Sequence, residues 1–339
     1  MSPDEQRPDG VLDAVEELLL GERPHLTRVQ VSAQAGVPLA DAEELWHQLG
    51  FPHHADDEVA FTEADVEALR LAHDLMSFGI LSPESRAALV RTWGRSFARL
   101  ADWQVALLAQ VANSVPGANP AEQLTMLTAE VMPRLERLQS YVWRRHLASA
   151  GNRLIAVEDV TSPVVSLAVG FVDIVGFTSR SKTLPDGELV DWIEGFEDVA
   201  SSIVLDHGGR VVKNIGDAVL FVADTPEDAV EIALAMTARG ADDDDPFPAV
   251  RGGIAYGEVI ARLGDVFGPT VNIAARLTSV ARPGTVLIDS EAHAALLGDP
   301  GERDDDEDDA PEGPYRFRRV PRVSVKGYSR LEPWVVRRA

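Results

Sequence analysis

Val169-Gly-Phe-Val-Asp-Ile-Val-Gly-Phe-Thr178 is an apolar run, short enough for a strand, with a single carboxylate, Asp173, inside it. A carboxylate in such a setting is costly to bury unless it is paired or holds a metal. A second stretch, Val211-Val-Lys-Asn-Ile-Gly-Asp-Ala-Val-Leu220, delivers another aspartate. Asp217 follows Gly216 at what reads as the tight turn between two strands, Arg210–Asn214 and Ala218–Ala223. Two aspartates presented this way suit two divalent cations held side by side, the arrangement that clamps attacking and leaving oxygens in phosphoryl transfer. Taken alone, an aspartate in a hairpin turn is as often a turn former as a ligand. Asp173, within its apolar run, is harder to explain that way.

Working outward, Val165–Val172 is a β-rich run, and Leu189–Leu205 is an amphipathic helix carrying Trp192, Phe196 and Val199. After the hairpin come a helix over Pro226–Ala238, an acidic loop, a strand over Ala249–Tyr256 and a loop over Gly257–Gly268. Thr270–Val280 reads as a helix, Val286–Asp289 as a short strand, and two terminal strands flank Lys326-Gly327. Strands and helices in this irregular order predict an α+β sheet with helices on one face. No Gly-x-Gly-x-x-Gly or Walker A run points to a Rossmann or P-loop fold.

Three further groups carry potential chemistry. Asn272 and Arg276, four apart on a predicted helix, project from one face, where an amide beside a guanidinium suits a ribose and a charged phosphoryl group. On that segment alone, a polar helix face with an exposed arginine is the favoured explanation. Lys213 and Asp265 offer a cationic donor and an anionic acceptor, which match the N1 acceptor and 6-amino donor of adenine; guanine reverses that pattern. Lys326, in Val323-Ser-Val-Lys-Gly-Tyr328, is a cation at a turn with the reach to meet a triphosphate. Singly, each of these three is an ordinary surface charge. Carboxylate ligands such as Asp173 and Asp217 select hard cations, Mg²⁺ or Mn²⁺, with substrate phosphates completing the shell.

Phe171-Val-Asp-Ile-Val-Gly-Phe-Thr178, Lys213-Asn-Ile-Gly-Asp217 and Gly264-Asp-Val-Phe-Gly…Val-Asn-Ile-Ala-Ala-Arg276 occur in the order found in class III nucleotidyl cyclases, and residues 163–338 resemble that family. The resemblance implies a ferredoxin-like catalytic domain over residues 164–339. It implies that Asp173 and Asp217 bind two metals, that Lys213 and Asp265 select adenine, and that Asn272 orients the ribose. Arg276 would stabilise the pentacoordinate phosphorus, and Lys326 would contact the terminal phosphates. The expected reaction is ATP to 3′,5′-cyclic AMP and pyrophosphate. Guanylyl members usually carry Glu and Cys at the two purine-selecting positions; this chain has Lys213 and Asp265 there and no cysteine. The resemblance also implies a head-to-tail homodimer in which one copy gives the metal aspartates and its partner gives the other residues. A guanylate cyclase and a non-catalytic regulator with a cyclase fold are the alternatives. The Asp-rich segment Gly298–Pro314 departs from the family pattern and is expected to be a disordered excursion.

The first half reads differently. Val11–Leu20 has helical periodicity. Leu26–Trp46 reads as helix, turn at Gly36 and a second helix from near Pro38, and Thr62 with Asp65 caps another. The pattern resembles the helix-turn-helix of MerR-like regulators. Between residues 38 and 68, however, lie nine acidic side chains and no Lys or Arg, and phosphates would repel such a helix. From Asp65 to about Ala150 the sequence is helical, with breaks expected near Pro83, Pro116, Pro120 and Pro133, and with a long helix over Ala121–Ala148. Residues 1–150 thus form an all-α domain, and 151–163 read as a linker. The domain resembles the helical regulatory domain of mycobacterial pH-responsive adenylyl cyclases, which implies a proton or a small ligand such as a fatty acid as its input. His53, His54, His73 and His146 are the groups that titrate near neutrality.

Composition agrees with these readings. A net charge of -24 over 339 residues argues against nucleic acid as the main partner. Without cysteine there are no disulfides or thiolate metal sites. No run of about 18 apolar residues appears, so the chain is expected to be cytoplasmic and unanchored. Lysine occurs only at 182, 213 and 326, and two of these three positions fall in the motifs above.

Overall fold

The computed structural model describes residues 9–77, 79, 82–114, 119–156, 164–297, 313–320, 323–325 and 328–339. The chain divides into two compact units, residues 1–160 and 161–339.

The first unit contains α1 (Asp9–Leu20), β1 (Leu26–Thr27), α2 (Arg28–Ala35), α3 (Leu39–Leu49), β2 (Val59–Phe61), α4 (Glu63–Ser77), α5 (Pro83–Asn113) and α6 (Pro120–Ala156). Thr27 and Gln30 form a reciprocal capping box at the start of α2. Gly36, at φ 72°, ends that helix in the left-handed region and turns the chain into α3. At α4, Asp65 accepts from both the amide and the hydroxyl of Thr62, at 2.8 and 2.9 Å. Val31, Leu45, Phe61, Val66 and Leu69 form the buried core of this part. The unit is helical as expected, with one short antiparallel pair, β1 with β2, added to it. One expectation is corrected. Pro133 does not break α6, which runs 37 residues through it and past Gly151 to Ala156, into the segment read as linker. An interior proline costs about 3 kcal/mol, which a helix of that length absorbs.

The second unit contains β3 (Val164–Ile174), α7 (Phe177–Arg180), α8 (Asp186–Asp206), β4 (Arg210–Ile215), β5 (Ala218–Ala223), α9 (Pro226–Arg239), β6 (Val250–Arg262) and β7 (Asp265–Phe267). α10 (Pro269–Val280), β8 (Val286–Ile288), α11 (Ser290–Leu297), β9 (Tyr315–Arg319), β10 (Val323–Val325), β11 (Tyr328–Leu331) and β12 (Trp334–Arg338) complete it. The main sheet runs β4-β5-β3-β6-β8-β12-β9, with β7 folded back on the end of β6. The β6–β8 pair is parallel; the other pairs in this sheet are antiparallel. The segment read as a loop over Gly257–Gly268 is therefore largely strand. Its Gly and charged residues obscured the alternation of a ribbon that extends beyond the core.

Helices cover both faces of the sheet, not one. Ala168, Val172 and Ile174 of β3 pack with Phe196 and Val204 of α8 and with Ile232 and Met236 of α9. Leu167 and Val169, pointing the other way by the two-residue strand period, pack with Leu220, Ala255 and Ala274 of α10. Since both faces of β3 are buried, its apolar run is almost continuous, and Asp173 stands out within it.

Candidate active site

The neighbouring strands β3 and β6 and the turn at Gly216 assemble the first part of the site. Gly216, at φ 63°, makes the β4–β5 turn and leaves Asp217 beside the end of β3, where the Ile174 amide donates to the Asp217 carbonyl at 3.0 Å. Asp173 lies opposite Ala218 on one side and Arg251 on the other. Its Oδ2 accepts from Arg251 Nε at 2.9 Å and from Nη2 at 2.6 Å. Arg251 Nη1 also donates to the carbonyl of Ser279, at 3.4 Å. Burial pushes the Asp217 carboxyl above its ordinary range, the Asp173 carboxylate adds to the rise, and Arg251 partly offsets it. Two carboxyls with one guanidinium leave a residual anionic pocket of hard oxygen donors, which fits Mg²⁺ or Mn²⁺. No group of three or more His, Asp or Glu suited to a metal occurs among the described residues, so oxygens from a substrate would complete the coordination.

The second part lies further along the same ribbon. Lys213 on β4 is ion-paired with Asp265 at the start of β7, although 52 residues separate them. The second oxygen of Asp265 accepts from the Val266 amide at 2.9 Å, which fixes the carboxylate plane. The donor and acceptor proposed for a purine edge are thus side by side.

Asn272 and Arg276 form a third part. α10 buries Thr270, Ala274, Leu277 and Thr278 against the sheet. Thr270 donates to the Glu258 carbonyl at 2.8 Å and Thr278 to the Phe171 carbonyl at 3.2 Å, which ties both ends of the helix down. Asn272 and Arg276 are therefore exposed on the outward side. Among the described residues, no hydrogen bond or ion pair joins them to Asp173 or Asp217. Lys326 and nearly all of the 298–314 segment lie outside the described residues.

Sequence reading missed two contributors. Arg251 is a lone cation in the strand run Val250–Ile254, which was its one visible signal; its pairing with Asp173 spans 78 residues. The other is a stack beside the segment that follows Asp173. Phe177 lies parallel to Trp192 at 5.8 Å, and the Arg180 guanidinium covers the Trp192 ring at 4.5 Å. It pins α7 to α8.

A two-layer covering of this sheet, with paired aspartates at the β3 end and a cation–carboxylate pair on the neighbouring ribbon, describes a nucleotide cyclase domain. The chain belongs to that family: the model for the adenylate and guanylate cyclase catalytic domain matches residues 160–338. Among curated relatives, an adenylate cyclase of Glutamicibacter nicotianae is 39% identical over 86% of this chain and 77% of its own length. An adenylate cyclase of Streptomyces coelicolor is 36% identical over 99% of this chain and 93% of its own, a match that includes the first unit. A pH-sensitive adenylate cyclase of Mycobacterium tuberculosis is 29% identical over 90% and 78%.

Proposed function

We propose that this chain is an adenylate cyclase whose active sites form between two copies. The ribose 3′-oxygen of ATP attacks the α-phosphorus, the bond to the β-phosphate oxygen breaks, pyrophosphate leaves and the 3′ proton passes to solvent. The observation that carries the choice of ATP is the Lys213–Asp265 pair, since its donor and acceptor complement adenine and mismatch guanine. Asp173 and Asp217 would hold two Mg²⁺ or Mn²⁺ ions per site, which when bound make the 3′-hydroxyl more acidic and neutralise the phosphates. Asn272 orients the ribose, Arg276 balances charge at the crowded phosphorus, and Lys326 meets the terminal phosphates. The outward placement of Asn272 and Arg276 supports a shared site: within one copy they face away from the sheet that carries Asp173. The first unit regulates how the two catalytic units meet, with a proton or a small ligand as its input.

The test is competition between ATP and GTP in the presence of Mn²⁺. Cyclic AMP should dominate, and Lys213→Glu combined with Asp265→Cys should erase that preference. Equal cyclic GMP from the unaltered chain would point to a guanylate or mixed cyclase. No product at concentrations where dimers are confirmed would point to a non-catalytic regulator. Comparing the full chain with a fragment starting at Thr161, between about pH 5.5 and about pH 8, reports the sign of regulation.

A further inference from the structure

One guanidinium joins the aspartate pair to the helix that carries Asn272 and Arg276. Arg251 stands on β6 opposite Asp173 of β3. It comes two residues before Gly253, on which α10 rests, so by the strand period its side chain lies on the face that α10 covers. Nε and Nη2 both donate to the same oxygen of Asp173, Oδ2, at 2.9 and 2.6 Å. Nη1 donates to the carbonyl of Ser279, in the last turn of α10, at 3.4 Å. The Ser279 hydroxyl in turn donates to the carbonyl of Arg276, at 2.7 Å. A chain of contacts therefore runs from Asp173 through Arg251 and Ser279 to the backbone of Arg276.

The two anchors of Arg251 differ in kind. The Asp173 side chain is only 17% exposed, so solvent screens this ion pair weakly. Ser279 offers one of the last four carbonyls of a helix, which lack partners within the helix and carry the negative end of its dipole. Both donors to Asp173 take Oδ2, so a cation can share the carboxylate through Oδ1. A carboxylate that shares its charge with a divalent cation holds a guanidinium less strongly, and the two positive groups repel. The Ser279 carbonyl keeps its dipole throughout. We propose that Arg251 is a positioning residue that couples the cation site at Asp173 to the seating of α10. With a cation on Asp173, the guanidinium leans toward Ser279 and tightens the last turn of α10. This inference rests on the proposed function, and under the shared-site reading it links the two sites of the dimer. Asp173 of a copy serves one site, and α10 of the same copy serves the other.

Mn²⁺ alone is the probe, added to the full chain without nucleotide. Its binding is read by electron paramagnetic resonance, and the seating of α10 by hydrogen exchange of the amides of residues 278–281. Saturating Mn²⁺ should slow exchange there at least about fivefold. Arg251→Met keeps the length but loses the charge and the donors. It should bind Mn²⁺ at least about fivefold more tightly, and its α10 exchange should no longer respond to Mn²⁺. Arg251→Lys keeps the charge but lacks the fork that reaches both anchors, so its Mn²⁺ affinity should stay near that of the unaltered chain while the response of α10 is lost. A purely structural arginine would alter exchange equally with and without Mn²⁺. The same Mn²⁺-dependent slowing in both variants overturns the proposal, as does bound Mn²⁺ that leaves the unaltered chain's α10 unchanged. Mn²⁺ binding that survives Asp173→Asn removes the cation site, and both this coupling and the proposed mechanism fall with it. Conversely, an intact response in a dimer that makes no cyclic nucleotide upholds the coupling and sinks the proposed function.

Discussion

Asp217 lies near enough to Asp173 for the two carboxylates to repel, and Arg251, ion-paired with Asp173, offsets part of that repulsion. The same residue scale decides the catalytic test of Arg276. A donor acting mainly on developing charge affects turnover more than substrate binding, so Arg276→Ala should lower kcat by about 100-fold or more while KM changes little. Steady-state kinetics check this, and an unchanged kcat would remove Arg276 from the mechanism. A second prediction concerns Asp289, which is nearly buried and accepts amide hydrogen bonds from Ala292 at 2.9 Å and Tyr256 at 3.3 Å. Burial pushes this carboxyl up to about 6. Its folded value is raised above the unfolded one, so the folded chain binds the proton more tightly. The group's contribution to stability is full below about pH 4 and is lost as pH rises through about 6. Asp289→Asn keeps an acceptor for both amides and should stabilise the chain by about 3 kcal/mol at neutral pH, with the gain vanishing near pH 4. Urea unfolding of the two proteins at both pH values measures it.

At the scale of elements, α10 is the part whose position matters most, because it carries Asn272 and Arg276. It rests on β6 through Gly253: a Cβ there would lie 2.3 Å from the Thr278 amide nitrogen and 2.6 Å from the Ala274 carbonyl, both backbone. Gly252, on the other face, has only ordinary contacts from 3.5 Å outward. Gly253→Ala should therefore destabilise by roughly 1–3 kcal/mol and displace α10, whereas Gly252→Ala should cost far less. Thermal unfolding and cyclase activity of the pair check this; equal behaviour would show that α10 is not seated on Gly253. Much at this scale was legible beforehand. The Gly216 hairpin, the α10 helix and the helix-turn-helix at Gly36 follow from local turn and periodicity signals. The β6–β7 ribbon did not, since residues 257–268 mix Gly, charge and apolar residues. The covering of both sheet faces also escaped, because a helix's own pattern shows that it packs but not which side of a sheet it takes.

At the scale of the whole molecule, the two residue sets make a sharp prediction. If sites are shared, Asp173→Asn and Arg276→Ala should each be inactive alone yet regain about a quarter of normal activity when mixed, since half the dimers then hold one intact site. No recovery after subunit exchange, verified by sedimentation, would mean that each chain carries its own complete site. No helix among the described residues is long and apolar enough to cross a membrane, which agrees with the hydropathy of the sequence.

The sequence alone settled the kinds of group present and their local settings. An aspartate in an apolar run, another after a turn glycine, and an amide and a guanidinium one helical turn apart are all short-range facts that neighbouring residues dictate. The tertiary structure decided which of these groups meet. Lys213 finds Asp265 across 52 residues and Arg251 finds Asp173 across 78, through strand pairing that no local pattern specifies. It also turned Asn272 and Arg276 outward, because the small and apolar face of α10 has to lie on the sheet and leaves the polar face in solvent.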